Sequence, residues 1–284
     1  MAERITVPWV RSRKHRQGAE PLVMVTAYDE PWARLVDAAG VDLILVGDTL
    51  AEIVLGYENT LSVGIEQMAH HVGAVCRARP RALVVGDLPW MSYHTEIFDA
   101  VRNAATLVRA GAGAVKLEGG RRRLPVVRAI LDAEIPVMAH LGLTPQSVHA
   151  MGGYKVQGRE VSGAEELVGD AVALAEAGCF AIVLEGVPDV LAERITTEVG
   201  VPTIGIGAGG ACDGQVMVLH DLLGLSKRTP PKFVRRYADV GSIVTAAVSE
   251  YASDVRRGAF PSDAESYHGS HELREALSSP IVVS

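Results

Sequence analysis

A unit recurs along this chain: a short run of β-branched and aliphatic residues ends in a polar residue, and a stretch with helical spacing follows. The runs occupy residues 22–27, 42–47, 82–86, 114–117, 136–139, 180–184, 202–206 and, less clearly, 215–219. Continuous apolar runs of this length mark strands buried on both faces, the signature of parallel sheet. Amphipathic segments lie between them at 31–39, 65–77, 97–110, 124–133, 164–177 and 190–199. Four of these close on glycine (Gly40, Gly111, Gly178, Gly200), the usual helix stop. Pro136 and Pro202 open their runs, where a missing N–H does little harm. Eight strands alternating with helices predict a (β/α)8 barrel, and 284 residues suit a fold that typically takes about 250. The rival is an open, doubly wound sheet. Eight units without a linker favour the barrel, as a single domain over 1–284.

The margins differ. Residues 1–20 read as a solvated opening helix or arm, basic through Arg11, Arg13, Lys14 and Arg16, with no apolar core of a secretory signal. Residues 230–257 predict a further helix or pair, with apolar positions Phe233, Tyr237, Val240, Ile243, Val244 and Val248. Residues 258–284 read as a polar peripheral arm.

Composition removes several function classes. At 48% hydrophobic and 21% charged residues the chain is neither disordered nor fibrous. Its longest apolar runs, such as 43–47, fall far short of the roughly 20 residues of a membrane helix. A net charge of −7 and 5% aromatics argue against nucleic-acid binding. Cys76, Cys179 and Cys212 are odd in number and far apart, as free thiols of a reducing cytoplasm would be.

The chemistry falls at the strand ends. Runs two to six end in Asp48, Asp87, Glu118, His140 and Glu185. In a barrel those ends converge on one mouth, where active sites are built. Like charges gathered there repel and raise each other's pKa values, so a cation should compensate, and Lys116 supplies only one charge. Oxygen donors without cysteine select a hard ion, with Mg²⁺ first. A 2-oxo acid offers two chelating oxygens, and coordination of the oxo group stabilises the enolate left when a neighbouring C–H is lost. Glu185 is the candidate proton acceptor. It closes the apolar run FAIVLE, where partial desolvation would raise its pKa.

Other features carry less. GIGAGG (205–210) matches G-x-G-x-x-G, but no obvious helix opens after it, so a backbone N–H loop or a plain tight turn competes with a dinucleotide fingerprint. MGGYKVQGR (151–159) reads as a loop near the mouth, a lid or an ordinary connection. His70 and His71 fall in a helix away from the strand ends, and Arg121–Arg123 read as a solvated helix start with an anionic partner as the alternative.

Several of these segments form a colinear set: VTAYD (25–29), LVGDTL (45–50), GDLPWMSY (86–93), VKLEGG (115–120), HLGLTPQS (140–147), GGYKVQGR (152–159), VLEGVP (183–188) and IGIGAG (204–209). On these motifs the chain closely resembles the ketopantoate hydroxymethyltransferase family over about residues 5–267. The resemblance implies a barrel of the phosphoenolpyruvate/pyruvate type. It implies transfer of a one-carbon unit from 5,10-methylenetetrahydrofolate to 2-oxoisovalerate, giving ketopantoate for pantothenate and coenzyme A synthesis, and a cytoplasmic homo-oligomer, typically a decamer. Matched by motif, Asp48, Asp87 and Glu118 look like the Mg²⁺ site, Asp48, Thr49, Asp87 and Lys116 like contacts to the oxo acid, and Glu185 like the proton acceptor. His140 could hydrogen-bond the new oxygen. Thr49 stands where the family usually has Ser, Ala51–Glu52 where it has Gly–Met, and Ser62–Val63–Gly64 where it has Pro–Val–Thr. Gly186 follows the base where a bulkier residue also occurs. These changes spare the metal and base positions and bear on the acceptor. Two further readings follow: a paralogue acting on another 2-oxo acid, and a non-catalytic binding paralogue.

Overall fold

The structure, a computed structural model, describes residues 3–14, 20–226 and 230–278. Helix α1 (Val7–Arg11) precedes strand β1 (Leu22–Thr26), and α2 (Glu30–Ala38) leads to β2 (Leu43–Val46). After the short α3 (Leu50–Ile53) and α4 (Ile65–Arg77) come β3 (Leu83–Asp87), α5 (Ile97–Arg109), β4 (Ala114–Glu118), α6 (Leu124–Asp132) and β5 (Val137–Gly142). The short α7 (Val148–Met151) and α8 (Val161–Glu176) follow, then β6 (Ala181–Glu185), α9 (Asp189–Glu198), β7 (Thr203–Ile206) and β8 (Gly214–Met217). Three helices end the chain: α10 (Leu219–Leu222), α11 (Val240–Arg256) and α12 (His271–Ser278).

All eight strands are parallel and form one closed barrel, with β1 paired to both β2 and β8. That closure excludes the open sheet. Local chemistry sets the helices: Asp29 caps α2 by accepting the Trp32 N–H at 2.9 Å, Pro31 sits in its first turn, and Gly40 beyond its end takes φ +85°.

Strand residues alternate between two apolar layers. Leu43, Leu45, Leu83, Val85, Ala114, Met138, Ala181 and Val183 fill the barrel interior, while Ile44, Val84, Val115, Ala139 and Ile182 pack outward under the helices. Helix α1 closes the bottom, its buried Val10 joining the interior layer. Lys14 reinforces that end through a 2.8 Å ion pair with Asp213, which also accepts the Thr203 N–H at 2.8 Å.

Three open expectations narrow. No helix separates β7 from β8; residues 207–213 make the whole connection, with Gly207 and Gly209 at positive φ, so GIGAGG is a turn and not a dinucleotide fingerprint. Residues 230–257 hold one helix, and Phe233, ahead of it, packs toward the interior layer beside Gly207. The 258–284 arm contains α12, exposed throughout. Arg16 and residues 279–284 of the expected arms lie outside the described residues.

Candidate active site

The interior face of each strand continues upward into the ionisable residues. Val85 is followed two residues on by Asp87, Ala114 by Lys116 and Glu118, Met138 by His140 and Val183 by Glu185. With a side-chain period of two, the residues that fill the barrel and those that line its mouth share one face. Register then makes them neighbours: Asp87 pairs with Lys116, and Glu118 with His140. Asp48 arrives differently, from the turn between β2 and α3, and its N–H donates to Asp87 Oδ2 at 3.1 Å. Asp48, Asp87, Lys116, Glu118 and His140 are each no more than 4% exposed. All five strand-end residues read from the sequence therefore meet at one place. Thr49 stands beside them, its side chain making no capping bond to α3.

Lys116 Nζ lies 3.1 Å from Asp87 Oδ1. His140 bridges two carboxylates: Nδ1 is 3.3 Å from Glu118 Oε1, and Nε2 is 3.2 Å from Glu185 Oε2 without good hydrogen-bond alignment. Glu185 is the most open of the acids, its side chain 18% exposed. Two residues that the sequence reading quoted only as motif letters organise the rest. Gln146 Nε2 donates to Asp48 Oδ2 at 2.8 Å and to the Leu88 carbonyl at 3.0 Å, and its backbone N–H donates to Glu118 Oε2 at 3.0 Å. Tyr93 Oη donates to Gln146 Oε1 at 2.6 Å and accepts the Glu118 N–H at 3.1 Å. Tyr93 sits in the loop after β3 and Gln146 in a 3₁₀ turn after β5, where apolar periodicity carries no signal.

The electrostatics follow. Burial, with Asp87 and Glu118 beside it, pushes the Asp48 carboxyl well above the usual carboxylate range. Burial also raises Asp87, against the pull of Lys116. Burial works against the Lys116 charge, but Asp87, Glu118 and Asp48 outweigh it and hold the ammonium protonated. For His140, burial and Lys116 favour the neutral ring, while the close Glu118 and Glu185 carboxyl groups prevail and raise it to about 9. Within this cluster four carboxyl groups share two cationic partners, Lys116 and His140. That surplus of hard oxygen donors fits a divalent cation such as Mg²⁺, whose charge would favour the ionised carboxylates. Among the described residues no three His, Cys, Asp or Glu side chains form a cage that could hold a metal by themselves. Mg²⁺ does not need one, since it usually takes one or two carboxylates and completes its shell with water and substrate oxygens.

The remaining sequence candidates are structural neighbours. His71 Nδ1 is 2.7 Å from the Tyr28 carbonyl, a satisfied packing role. The 151–159 stretch is tied down where Gln157 N–H donates to the Gly186 carbonyl at 2.9 Å, immediately after Glu185. Gly186 has φ +54°, which accounts for a glycine there. Cys76, Cys179 and Cys212 are free thiols.

A closed parallel eight-stranded barrel with an oxygen-donor cluster at its strand ends defines the class, a (β/α)8 barrel with its candidate active site at the mouth. Solved structures agree on the fold. A 2,3-dimethylmalate lyase of the PEP mutase/isocitrate lyase superfamily has TM-score 0.58 and 18% identity, covering 96% of this chain and 99% of that one. A phosphonopyruvate hydrolase in complex with oxalate and Mg²⁺ has TM-score 0.59 and 15% identity, covering 96% and 95%. Sequence is more specific. The ketopantoate hydroxymethyltransferase family model matches residues 4–263. A 3-methyl-2-oxobutanoate hydroxymethyltransferase of Geobacter metallireducens is 52% identical over 256 residues, 90% of this chain and 96% of that protein. Its counterpart in a Methylobacterium species is 54% identical over 272 residues, covering 96% and 94%. The chain belongs to the ketopantoate hydroxymethyltransferase family. It is a transferase that hydroxymethylates 3-methyl-2-oxobutanoate to ketopantoate, in the pantothenate pathway.

Proposed function

We propose that the strand-end cluster carries out this reaction with Mg²⁺ and 5,10-methylenetetrahydrofolate, and that Glu185 is the base. The observation that carries the reading is the meeting of four carboxyl groups, Asp48, Asp87, Glu118 and Glu185, with Lys116 and His140 as the cationic partners among them. Asp48 and Asp87 would hold the ion. Glu118, with one oxygen on the Gln146 N–H and the other against His140, would reach it through water. When bound, Mg²⁺ supplies positive charge against the oxo and carboxylate oxygens of the substrate.

Asp48, Asp87, the Thr49 hydroxyl and the Lys116 ammonium then orient the oxo acid. Glu185 takes the single proton on C3. The resulting enolate carbon bonds to the methylene carbon of the folate iminium, whose C=N becomes C–N. That C–N bond breaks as water supplies the hydroxyl oxygen, giving the hydroxymethyl group and tetrahydrofolate. His140, with Nε2 3.2 Å from Glu185 Oε2, could hydrogen-bond the new oxygen.

We also read the chain as one barrel domain that works in the cytoplasm as a homo-oligomer. No helix among the described residues is long and apolar enough to cross a membrane. Support for self-association comes from α11, where Ile243, Val244, Val248 and Tyr251 are all more than half exposed. The reaction is tested by ketopantoate formation from 2-oxoisovalerate and methylenetetrahydrofolate. The expected outcome is turnover that stops with a chelator, returns with Mg²⁺, and falls at least about 100-fold in Asp48→Asn. Full turnover after metal removal would contradict it.

A further inference from the structure

The 3₁₀ turn Pro145–Ser147 after β5 carries Gln146, 6% exposed, whose amide meets Asp48 from the turn after β2. Strands β3 and β4 stand between β2 and β5 in the barrel, so no ladder bond fixes that span. The Gln146 side chain bridges it instead. Its orientation is forced: the Leu88 carbonyl can only accept, so the atom 3.0 Å from it is Nε2, the amide donor. Oε1 then faces Tyr93, and a phenol carries its proton at neutral pH. Of the two acceptors near Tyr93 Oη, Gln146 Oε1 at 2.6 Å is closer than the Glu118 carbonyl at 3.3 Å. The Glu118 N–H donates to the same hydroxyl at 3.1 Å, so Tyr93 is held from both sides.

This grip decides which carboxylate oxygens can meet an ion. Asp48 Oδ2 is engaged by Gln146 Nε2 at 2.8 Å, which leaves Oδ1 as the oxygen to offer a cation. Glu118 is held on both sides, Oε2 by the Gln146 N–H at 3.0 Å and Oε1 against His140 Nδ1 at 3.3 Å. Asp87 Oδ2 accepts the Asp48 N–H at 3.1 Å. Chelation by both oxygens of Asp48 would require Oδ2 to leave the amide and strand a buried N–H. Divalent ions differ in what they ask of a carboxylate. Mg²⁺ demands near-octahedral contacts at about 2.0–2.1 Å and keeps several waters, whereas Ca²⁺ takes about 6–8 oxygens at about 2.3–2.6 Å and accepts chelating carboxylates.

We propose that Gln146, locked by Tyr93, is a positioning residue that holds Asp48 to one-oxygen coordination and so makes the mouth select Mg²⁺ over the larger Ca²⁺. The assignment rests on the reading above that Asp48 and Asp87 hold the ion. Gln146 acts only through Asp48 and Glu118. With its amide gone, Asp48 is free to swing and chelate with both oxygens, which suits Ca²⁺ and does nothing for Mg²⁺. Partners of this kind around a metal's ligands typically change affinity by about 10–100-fold.

The test is calorimetric titration of the chelator-treated full chain with MgCl₂ and, separately, with CaCl₂. The proteins are wild type, Gln146→Met, Tyr93→Phe and the double variant. Methionine keeps the unbranched shape of glutamine and removes its amide. Wild type should bind Mg²⁺ more tightly than Ca²⁺. Gln146→Met should raise the Mg²⁺ Kd about ten-fold or more and change the Ca²⁺ Kd less than three-fold, so that the preference for Mg²⁺ shrinks about ten-fold. Tyr93→Phe should shift the preference the same way by a smaller factor. It should add nothing in the Gln146→Met background, because the hydroxyl acts through Oε1. A merely structural role would weaken both ions alike, and that result, or an unchanged preference, overturns the proposal. Additive effects in the double variant overturn the Tyr93 lock. Should Gln146→Met not fold, Tyr93→Phe alone must shift the preference, and a shift-free Tyr93→Phe then overturns the proposal. Failure of the folded wild type to bind either ion counts against the Mg²⁺ reading itself, whereas binding with an indifferent Gln146→Met counts against the positioning role alone.

Discussion

His140 does at the mouth what no single acid or base could. It lies between Glu118 and Glu185 as a shared cation, and Lys116 does the same for Asp87. The arrangement has a signed pH dependence in the metal-free protein. His140 is raised from 6.5 to about 9 on folding, so its stabilising contribution is complete below about pH 6.5 and is lost as pH rises through about 9. Asp48 and Asp87, also raised, act in the same direction: their ionisation with rising pH costs the folded state. The thermal midpoint of chelated protein should therefore fall between pH 6.5 and 9, and saturating Mg²⁺ should restore most of the loss. A midpoint that stays flat or rises over that range in chelator would contradict this view. The five strand-end residues were legible in the sequence because each closes an apolar run. Gln146 and Tyr93 were not, because a loop residue that folds back onto a carboxylate leaves no periodic trace. Buried amide and hydroxyl groups must find partners, however, and here each is the other's partner.

The strands were readable as elements, since β-branched runs of five or so residues between glycine-closed helices admit few alternatives. The structure shifts their ends in a consistent way. β3, β4 and β6 extend to include Asp87, Glu118 and Glu185, so the ionisable residues are held by ladder hydrogen bonds rather than by loops. The eighth strand was the least legible because Gln215 faces outward and only Gly214 and Val216 of its residues are buried. The missing helix after β7 was legible, because no helical spacing follows GIGAGG and the next apolar run begins at 215. At the end of β5, Gly142 has φ +92°, and a Cβ there would fall 2.2 Å from the Glu185 carbonyl oxygen. Gly142→Ala should push the end of β6 aside. We expect a loss of about 1–3 kcal/mol, seen as a lower thermal midpoint, together with impaired proton transfer by Glu185. Wild-type stability and rate in that variant would show that the β5–β6 junction does not position the base.

As a whole the chain exposes 15,776 Å², against about 11,700 Å² expected of a compact monomer of 30.1 kDa. Neither α11 nor α12 has a buried residue. An apolar helix face left open on a folded chain marks an interaction surface. The homo-oligomer proposed above should use it, so Val244→Lys with Val248→Lys should lower the mass seen by light scattering. An unchanged mass would assign the oligomer to another surface.

The central claim is that the barrel mouth enolises a 2-oxo acid with Glu185 as base. Its most direct test is NMR of C3–H in 2-oxoisovalerate incubated with the protein and Mg²⁺ in D₂O, without folate. The expected result is metal-dependent exchange of C3–H for deuterium that slows by about 10²–10⁴ in Glu185→Gln while the fold is retained. Exchange that persists at the wild-type rate in Glu185→Gln, or no exchange in a folded, Mg²⁺-loaded wild type, would contradict it.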